Sequence, residues 1–530
     1  MSILDFFRPK TIVIERERAM LPSERSGSYG HDYKNRTKYG NIAYSDTGYT
    51  NYQQLRENGR GVYHDSLIAR GIVGRLVDNV INTGLTWESS PLWSLIPGAP
   101  ESEDERVAWT ENVENRFKLY TYSKEADVRG RLTLPQIERL LYTLRVKEGE
   151  YFGVLRYLNS PDRMSPVAIQ ILNNDQIEQP YDGVTVQAIK DKGSTVEDGI
   201  EYDAVGKMTA IYVREELGSR PKRIPVFGDK SKRRFVIHDG NFESADQFRG
   251  FPELSAMVYE LDRLTEYSIN ELEATLADSL WFAAITADSN AKPKGPTFRP
   301  AGGGAIETSD NTGLKDGIQT VAIGKRALVM DKLPPGWKFE GWKPSRPNQN
   351  YAAFIDAHET YIAGALGMPL SVVRQKFQAS YSAARAEILF FWNNVIRRRD
   401  DFISGFLDPL YESWFTENVR SRLIEAPGYL TLPVARNAWL YGTWDGISRP
   451  VVDPVKEVEA VRARQELGHT TAEREAKAYN GSDFRENVRR LTAENALLAD
   501  ANRPLNPEPA ERAEDAETDL EDETKNGEGE

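Results

Sequence analysis

The residue types that do most enzymatic chemistry are thin in this chain. Among its 530 residues there is no cysteine, and the only histidines are His31, His64, His238, His358 and His469. Without thiols, disulfides, thiolate metal sites and cysteine nucleophiles are excluded together. The histidines lie too far apart in sequence to show the short spacings of zinc sites. His358-Glu359 begins like a zinc-protease helix, but Ile362 occupies the place of the second histidine. Gly317 to Arg326 contains Gly-Lys without making a phosphate loop. Six residues separate Gly317 from Gly324, and Arg326 stands where a magnesium-binding Ser or Thr belongs. That stretch reads as a strand turning at a glycine. Gly302-Gly303-Gly304 could cradle an anion, though a flexible loop is the simpler reading. Nothing along the chain brings together a nucleophile, a base and a group to orient it. The expectation is no enzyme: no catalytic residue, no cofactor, no metal.

Charge narrows the partners. The net charge of −13 lacks the basic surplus that gripping nucleic acid by phosphate neutralisation requires, yet it allows DNA to slide past. From Glu508 to Glu530 there are 11 acidic and 2 basic residues, so −9 of the −13 lies in that tail and the body is nearly balanced. No stretch approaches the ~18 apolar residues of a membrane helix. Asp5 and Arg8 break the N-terminal apolar run too early for a signal peptide. The length suits about three or four domain-sized units.

Next come the elements that would position any site. Residues 1–60 are polar, rich in Tyr, Asn, Arg and Gly, and read as an extended arm. Leu67, Ile68, Ile72, Leu76, Val80 and Ile81 recur at helical spacing over 65–82, and a second helix is predicted over 134–146. Short runs of strand formers follow at 151–157, 167–172, 200–202, 209–214 and 234–238. A long helix is predicted from Pro252 to Trp281, with the proline in its first turn. Residues 286–345 are loop and strand material. A helix capped by Asn348 ends at Gly367 with Pro369 behind it. A helix of about 40 residues begins near Tyr381, and Pro409 should kink it. Shorter helices follow at 455–467, 472–479 and 484–498. The tail beyond Pro504 has almost no apolar residues and is expected to be disordered. The fold class is α+β.

Several local motifs, in this order, resemble the lambda-type family of phage portal proteins. They begin at Ala69-Arg70-Gly71 and run through Val77-Asp78-Asn79-Val80-Ile81-Asn82-Thr83-Gly84-Leu85. Next come Gly199-Ile200-Glu201-Tyr202-Asp203, Ala210-Ile211-Tyr212-Val213, and Gln247-Phe248-Arg249-Gly250-Phe251-Pro252-Glu253-Leu254. The most telling stretch is Ile362-Ala363-Gly364-Ala365-Leu366-Gly367-Met368-Pro369 with Tyr381-Ser382-Ala383-Ala384-Arg385-Ala386. Asp453-Pro454, Gly468-His469-Thr470-Thr471 and Gly481-Ser482-Asp483 extend it, so that it covers about residues 60 to 500. The chain departs from the pattern at Ser244-Ala245-Asp246 and at Arg374-Gln375-Lys376.

The resemblance implies a portal fold of wing, stem, clip and crown, assembling as a cyclic ring, commonly of twelve subunits. By order along the chain, 1–60 is the arm, 61–250 the α/β part of the wing, and 251–282 the first stem helix. Then 283–345 is the clip, 346–370 the second stem helix and 371–380 the tunnel loop. Residues 381–454 return to the wing as a kinked helix and strands, 455–505 form the crown, and 506–530 the acidic tail. Lys376, Phe377, Gln378, Ala379 and Ser380 would face DNA at the channel's narrowest point. The implied partners are other copies of the chain, double-stranded DNA, the large terminase subunit, the major capsid protein, scaffold and head-completion (adaptor) proteins, with no membrane. The implied place is the capsid portal vertex of the virion, with host cytoplasm during assembly. On the residues alone, another virion structural protein, such as a capsid or scaffold subunit, and an α+β enzyme stay open.

Overall fold

A computed structural model of the chain describes residues 52–191, 193–216, 218–243, 247–279, 283–287, 297–300, 328–332, 337–341, 351–376, 381–447, 454–480 and 484–500. Two helices come first, α1 (Tyr52–Asp65) and α2 (Leu67–Val80), then β1 (Thr86–Ser89) and α3 (Glu103–Tyr122). α4 (Leu134–Glu148) leads into β2 (Glu150–Tyr157) and β3 (Val167–Leu172). α5 (Gly183–Asp191) precedes β4 (Thr195–Glu197), β5 (Ile200–Tyr202), β6 (Met208–Val213), β7 (Lys222–Pro225) and β8 (Val236–Gly240). A 3-10 turn at Glu253–Met257 runs into α6 (Val258–Ser279). Four strands follow, β9 (Ala283–Ala287), β10 (Thr297–Pro300), β11 (Leu328–Lys332) and β12 (Trp337–Gly341). Next are α7 (Tyr351–Ala365), α8 (Leu370–Arg374), α9 (Tyr381–Phe402) and α10 (Asp408–Arg420). The last are α11 (Pro433–Trp439), β13 (Gly442–Asp445), α12 (Pro454–Glu466), α13 (Ala472–Asn480) and α14 (Phe484–Asp500).

The described residues divide into two compact units, one made of 52–78, 125–132 and 137–417, the other of 79–124, 133–136 and 418–500. In the first unit, antiparallel sheets ordered β3-β2-β8 and β4-β5-β6-β7 share a core of Phe152, Val154, Leu172, Ile177, Ile200, Ile211, Val213 and Val236. Every residue of β2 from Glu150 to Leu155 is buried, so both of its faces are covered. Phe152 and Val154 point into the sheet core, while Tyr151, alternating to the other face, meets Phe402 and Phe406 edge-on. β9 pairs with β12 and β10 with β11, both antiparallel.

The second unit is held by aromatic packing. Trp93, Trp109 and Trp439 meet at centroid distances of 4.5 to 5.6 Å, and Trp87 packs on Trp444 across the β1–β13 pair. The indole N–H of the half-buried Trp109 donates to the carbonyl of Glu425 at 2.7 Å. Ser102 caps α3 by accepting from the N–H of Glu105, and three acidic side chains occupy the first turn, where the helix dipole favours them.

Two expectations need correction, and a third, the helix of about 40 residues from Tyr381, gains a detail. Residues 52–60 belong to α1 and not to an extended arm, with Tyr52, Leu55, Arg56 and Gly59 buried; residues 1–51 lie outside the described residues. Two of its charges, Arg56 and Arg60, are ion-paired inside the unit. Pro252 is the N-cap, with β-region ψ of 126°, and the helix begins as a 3-10 turn. The long helix from Tyr381 is interrupted by a π-helical turn at Ile403–Leu407, just ahead of Pro409. Proline has no N–H to give the carbonyl of Gly405, four residues back, and a wider turn is one way the ladder accommodates that. The Asn348 cap and the acidic tail lie outside the described residues.

Candidate functional site

The residues that first suggested chemistry do not converge. His358, on α7, places Nδ1 3.2 Å from Oε2 of Glu260 on α6 and packs its ring on Phe354, so it ties two helices together. Gly302-Gly303-Gly304 and the Gly317–Arg326 stretch lie outside the described residues. Among the described residues, no group of three or more His, Asp or Glu side chains could hold a metal ion. No described helix is long and apolar enough to cross a membrane.

What the fold does assemble is a buried ionic hub around Glu150, the first residue of β2. Its side chain is 0% exposed. Arg249 donates from Nε to Oε1 at 2.7 Å, His238 Nε2 lies 3.0 Å from Oε2, and the backbone N–H of Gly250 donates to the same oxygen at 3.0 Å. Arg56 of α1 stands 3.7 Å away. Burial is the strongest influence on this carboxyl and pushes its pKa up. Arg249, the hydrogen bond and charge of His238, and Arg56 together outweigh it and hold the value down to about 2. Arg249 spends its remaining donors on the carbonyls of Asp198 and Asn174, at 2.6 and 3.4 Å. A second tier surrounds the first. Asn174 donates to Glu148 at 3.0 Å and to the Glu150 carbonyl at 2.8 Å, while Arg60 pairs with Glu148 at 2.8 Å and with Asp175.

At the centre of this cluster Glu150 and Arg249 are closed to solvent, and Arg56 Nη1 and Asn174 Oδ1 are buried there without a hydrogen-bond partner. The cluster ties together chain segments from six places in the sequence, at residues 56–60, 148–150, 174–175, 198, 238 and 249–250.

The hub explains the Gln247-to-Leu254 motif residue by residue. Gln247 donates to the carbonyls of Asn241 and Arg249, at 3.1 and 2.6 Å, and so holds the loop shut. Gly250 crosses the chain at Gly149 so closely that a Cβ there would sit 2.0 Å from the Gly149 carbonyl oxygen. Gly149 itself, at φ +88°, would place a Cβ 2.4 Å from the backbone of Phe251. Phe251 stacks on Tyr52 at 5.4 Å. Glu253 makes a two-pronged pair with Arg398 of α9, both contacts at 2.7 Å. Leu254, Met257, Val258, Leu261 and Leu264 then bury the inner face of the helix head. The motif therefore anchors the start of α6 to the sheets and to α9. Apolar spacing already marked Leu254, Met257, Val258, Leu261 and Leu264 as one helix face, while Gln247, Arg249, Gly250 and Glu253 were flagged only through resemblance and Glu150, Arg56 and Arg398 were missed altogether.

Of the loop residues Lys376 to Ser380, the structure describes only Lys376; residues 377–380 lie outside the described residues. Lys376 is exposed, and its N–H donates to the carbonyl of Ser371 at 3.2 Å. Gln375 before it ends α8 in the left-handed region, at φ 54°. Arg374 is tied back to α7 through Asp356 and Glu359, so the chain is anchored up to the residue before Gln375.

The family described as phage portal protein, lambda family, matches residues 35–399, a span that includes the hub, the α6 head, α7 and most of α9. Portal protein B of Escherichia phage lambda is 24% identical over 432 residues, covering 77% of each chain. The portal protein of Escherichia phage N15 is 22% identical over 431 residues, again covering 77% of each. A solved chain from the neck of an empty GTA particle aligns at a TM-score of 0.45 and 13% identity, covering 81% of this chain and 93% of its own. The family match spans well over half of the sequence and takes in the residues of the Gln247-to-Leu254 anchor: the chain belongs to the lambda family of phage portal proteins.

Proposed function

We propose that the chain is the subunit of a closed ring, of twelve copies in the virion, set at one capsid vertex and serving as the conduit for genome packaging and ejection. The observation that carries this reading is the family match over 35–399. The physical features agree with it. A nearly neutral body suits a channel, because each strong phosphate contact would be a trap that moving DNA must break. The paired helices α6 and α7, joined through Tyr267, Tyr351, Phe354 and the Glu260–His358 pair, suit a stem whose outer faces are covered by neighbouring copies.

In this reading the chain is structural and hydrolyses no nucleotide; the large terminase subunit supplies the motor. It docks that motor during packaging and head-completion proteins afterwards, and it meets the major capsid protein and scaffold during assembly in the host cytoplasm. The α6 and α7 helices are the stem, 283–345 the clip, the sheets with α9 and α10 the wing, and α12 to α14 the crown. Lys376 to Ser380 form the tunnel loop facing DNA.

Electron microscopy of the purified full-length protein tests the core of the proposal. The expected image is a ring with an axial hole wide enough for duplex DNA. Rings one subunit larger or smaller are compatible with overexpression. Monomers or dimers alone at assembly concentration would refute it.

A further inference from the structure

α9 and α10 would make one continuous helix but for the π-turn at Ile403–Leu407, where the N–H of Asp408 reaches back to the carbonyl of Ile403. The side chains on either side of that turn are out of step. In a straight α-helix each residue advances by about 100° around the axis. On that count the buried residues of α9, Ala384, Phe391, Trp392, Val395 and Phe402, centre on one line. Those of α10, Leu410, Tyr411, Ser413, Trp414, Phe415 and Glu417, centre about 100° further round, the rotation of a single residue. A π-turn takes up one extra residue, so it brings the two buried faces back into line. The offset belongs to the burial pattern and not to Pro409, which removes a hydrogen bond without changing which residues face the core.

The same turn meets β8. Gly405 lies so close to Asp239 that a Cβ there would sit 2.4 Å from the Asp239 Cγ and 2.7 Å from its Cβ. Asp239 is not free to yield, because the Tyr151 hydroxyl donates to its Oδ2 at 3.2 Å and Arg145 Nε stands 3.5 Å from the same oxygen. Ser404, one residue earlier, is exposed. We propose that the π-turn holds one residue more than a continuous helix needs, and that this residue makes a register lock. It keeps the buried faces of α9 and α10 in line and sets Gly405, where no side chain fits, against Asp239. The lock fixes the long helix to the strand that carries His238 of the hub. It stands apart from the ring reading and does not depend on it.

The test uses full-length chains that all carry Pro409→Ala, so that the proline does not decide the outcome. Deleting Ser404 is expected to leave the helical circular dichroism and the cooperative melting of the Pro409→Ala parent, because α10 then falls into phase with α9 without the turn. Deleting Asn393, an exposed residue within α9, is expected to abolish cooperative melting, because it swings Val395 and Phe402 off the buried line. Equal effects of the two deletions, or a milder one for Asn393, would overturn the insertion. Gly405→Ala then tests the seat against Asp239. It is expected to lower the melting temperature of the parent, where the new Cβ meets Asp239. In the chain lacking Ser404 it is expected to raise it, since Gly405 takes the exposed place of Ser404 and alanine is the better helix former. A shift of the same sign in both chains overturns the lock.

Discussion

Arg249 Nε and Glu150 Oε1 lie 2.7 Å apart across 99 residues of sequence, with the arginine side chain 2% exposed and the carboxylate 0%. A pair this buried is held in place by the cost of breaking it. Removing one partner strands the other charge away from water, which typically costs about 3–5 kcal/mol. Glu150→Gln keeps an acceptor for the Gly250 N–H but leaves Arg249 without its countercharge and Arg56 with Asp175 alone. Both Glu150→Gln and Arg249→Met are expected to lower stability by roughly that amount in urea unfolding. A loss below about 1 kcal/mol for either would mean that water reaches the hub.

The same carboxyl sets an acid limit. Its folded pKa, about 2, lies below the ordinary glutamate value of 4.5, so the native state binds this proton less readily than the unfolded chain. The stabilisation is complete above pH 4.5 and is lost as pH falls from there through about 2. Wild type and Glu150→Gln should therefore converge in stability over that window. A stability difference that stays constant from neutral pH down to 2 would assign the effect to packing and not to charge.

Much of the local structure was legible in the sequence because apolar spacing reports it directly. β3 and β5 were read to the residue, and α12 to α14 within two residues, since alternation and helical stripes need no long-range information. α3 was missed: its buried Val113, Phe117 and Tyr120 sit in a very polar helix, although the Ser102 cap with Glu105 three residues on was a usable start signal. α1 was missed for a related reason, since Arg56 and Arg60 look solvated until Glu148, Glu150 and Asp175 are seen beside them. The hub itself was illegible. Its members are spread from residue 56 to residue 249, and nothing in a one-dimensional pattern says which of 80 acidic residues meets which arginine.

Gly250 and Gly364 make a matched test of close backbone approach. A Cβ at Gly250 would meet the Gly149 carbonyl at 2.0 Å, whereas one at Gly364, inside α7, meets nothing within 4 Å. Gly250→Ala should destabilise by about 3 kcal/mol or more, because backbone and not a flexible side chain has to move. Gly364→Ala should raise the stability of the dissociated chain by up to about 1 kcal/mol through helix propensity. Equal melting temperatures for the two variants would contradict the crossing of residues 149 and 250.

The acidic tail is expected to be dispensable for assembly. Residues 506–530 contain a single large apolar side chain, Leu520, which is too little to anchor an interface. Protein ending at residue 505 should form rings of the same size as the full chain in native mass spectrometry. Failure to assemble would make the tail a structural element.

Lys376 is the sharpest point at which the conduit reading meets a single side chain. It is exposed, and it follows a segment pinned by Arg374 to Asp356 and Glu359, so the anchored chain delivers it to the start of the proposed tunnel loop. Repeated around an axis, it would supply one positive charge per subunit at the constriction. Such a sparse cationic ring can hold phosphates weakly, and salt would screen it over about 8–10 Å. In that reading, reversing the charge replaces weak attraction with repulsion at the proposed constriction while leaving the Glu150 hub untouched. Lys376→Glu is therefore expected to form rings and procapsids normally and to package or retain shorter DNA, a defect deepest at low ionic strength. The measurement is the length of encapsidated DNA at two salt concentrations. Full-length genomes at wild-type yield under both conditions would end the case for Lys376 as a DNA contact and return it to an ordinary connector.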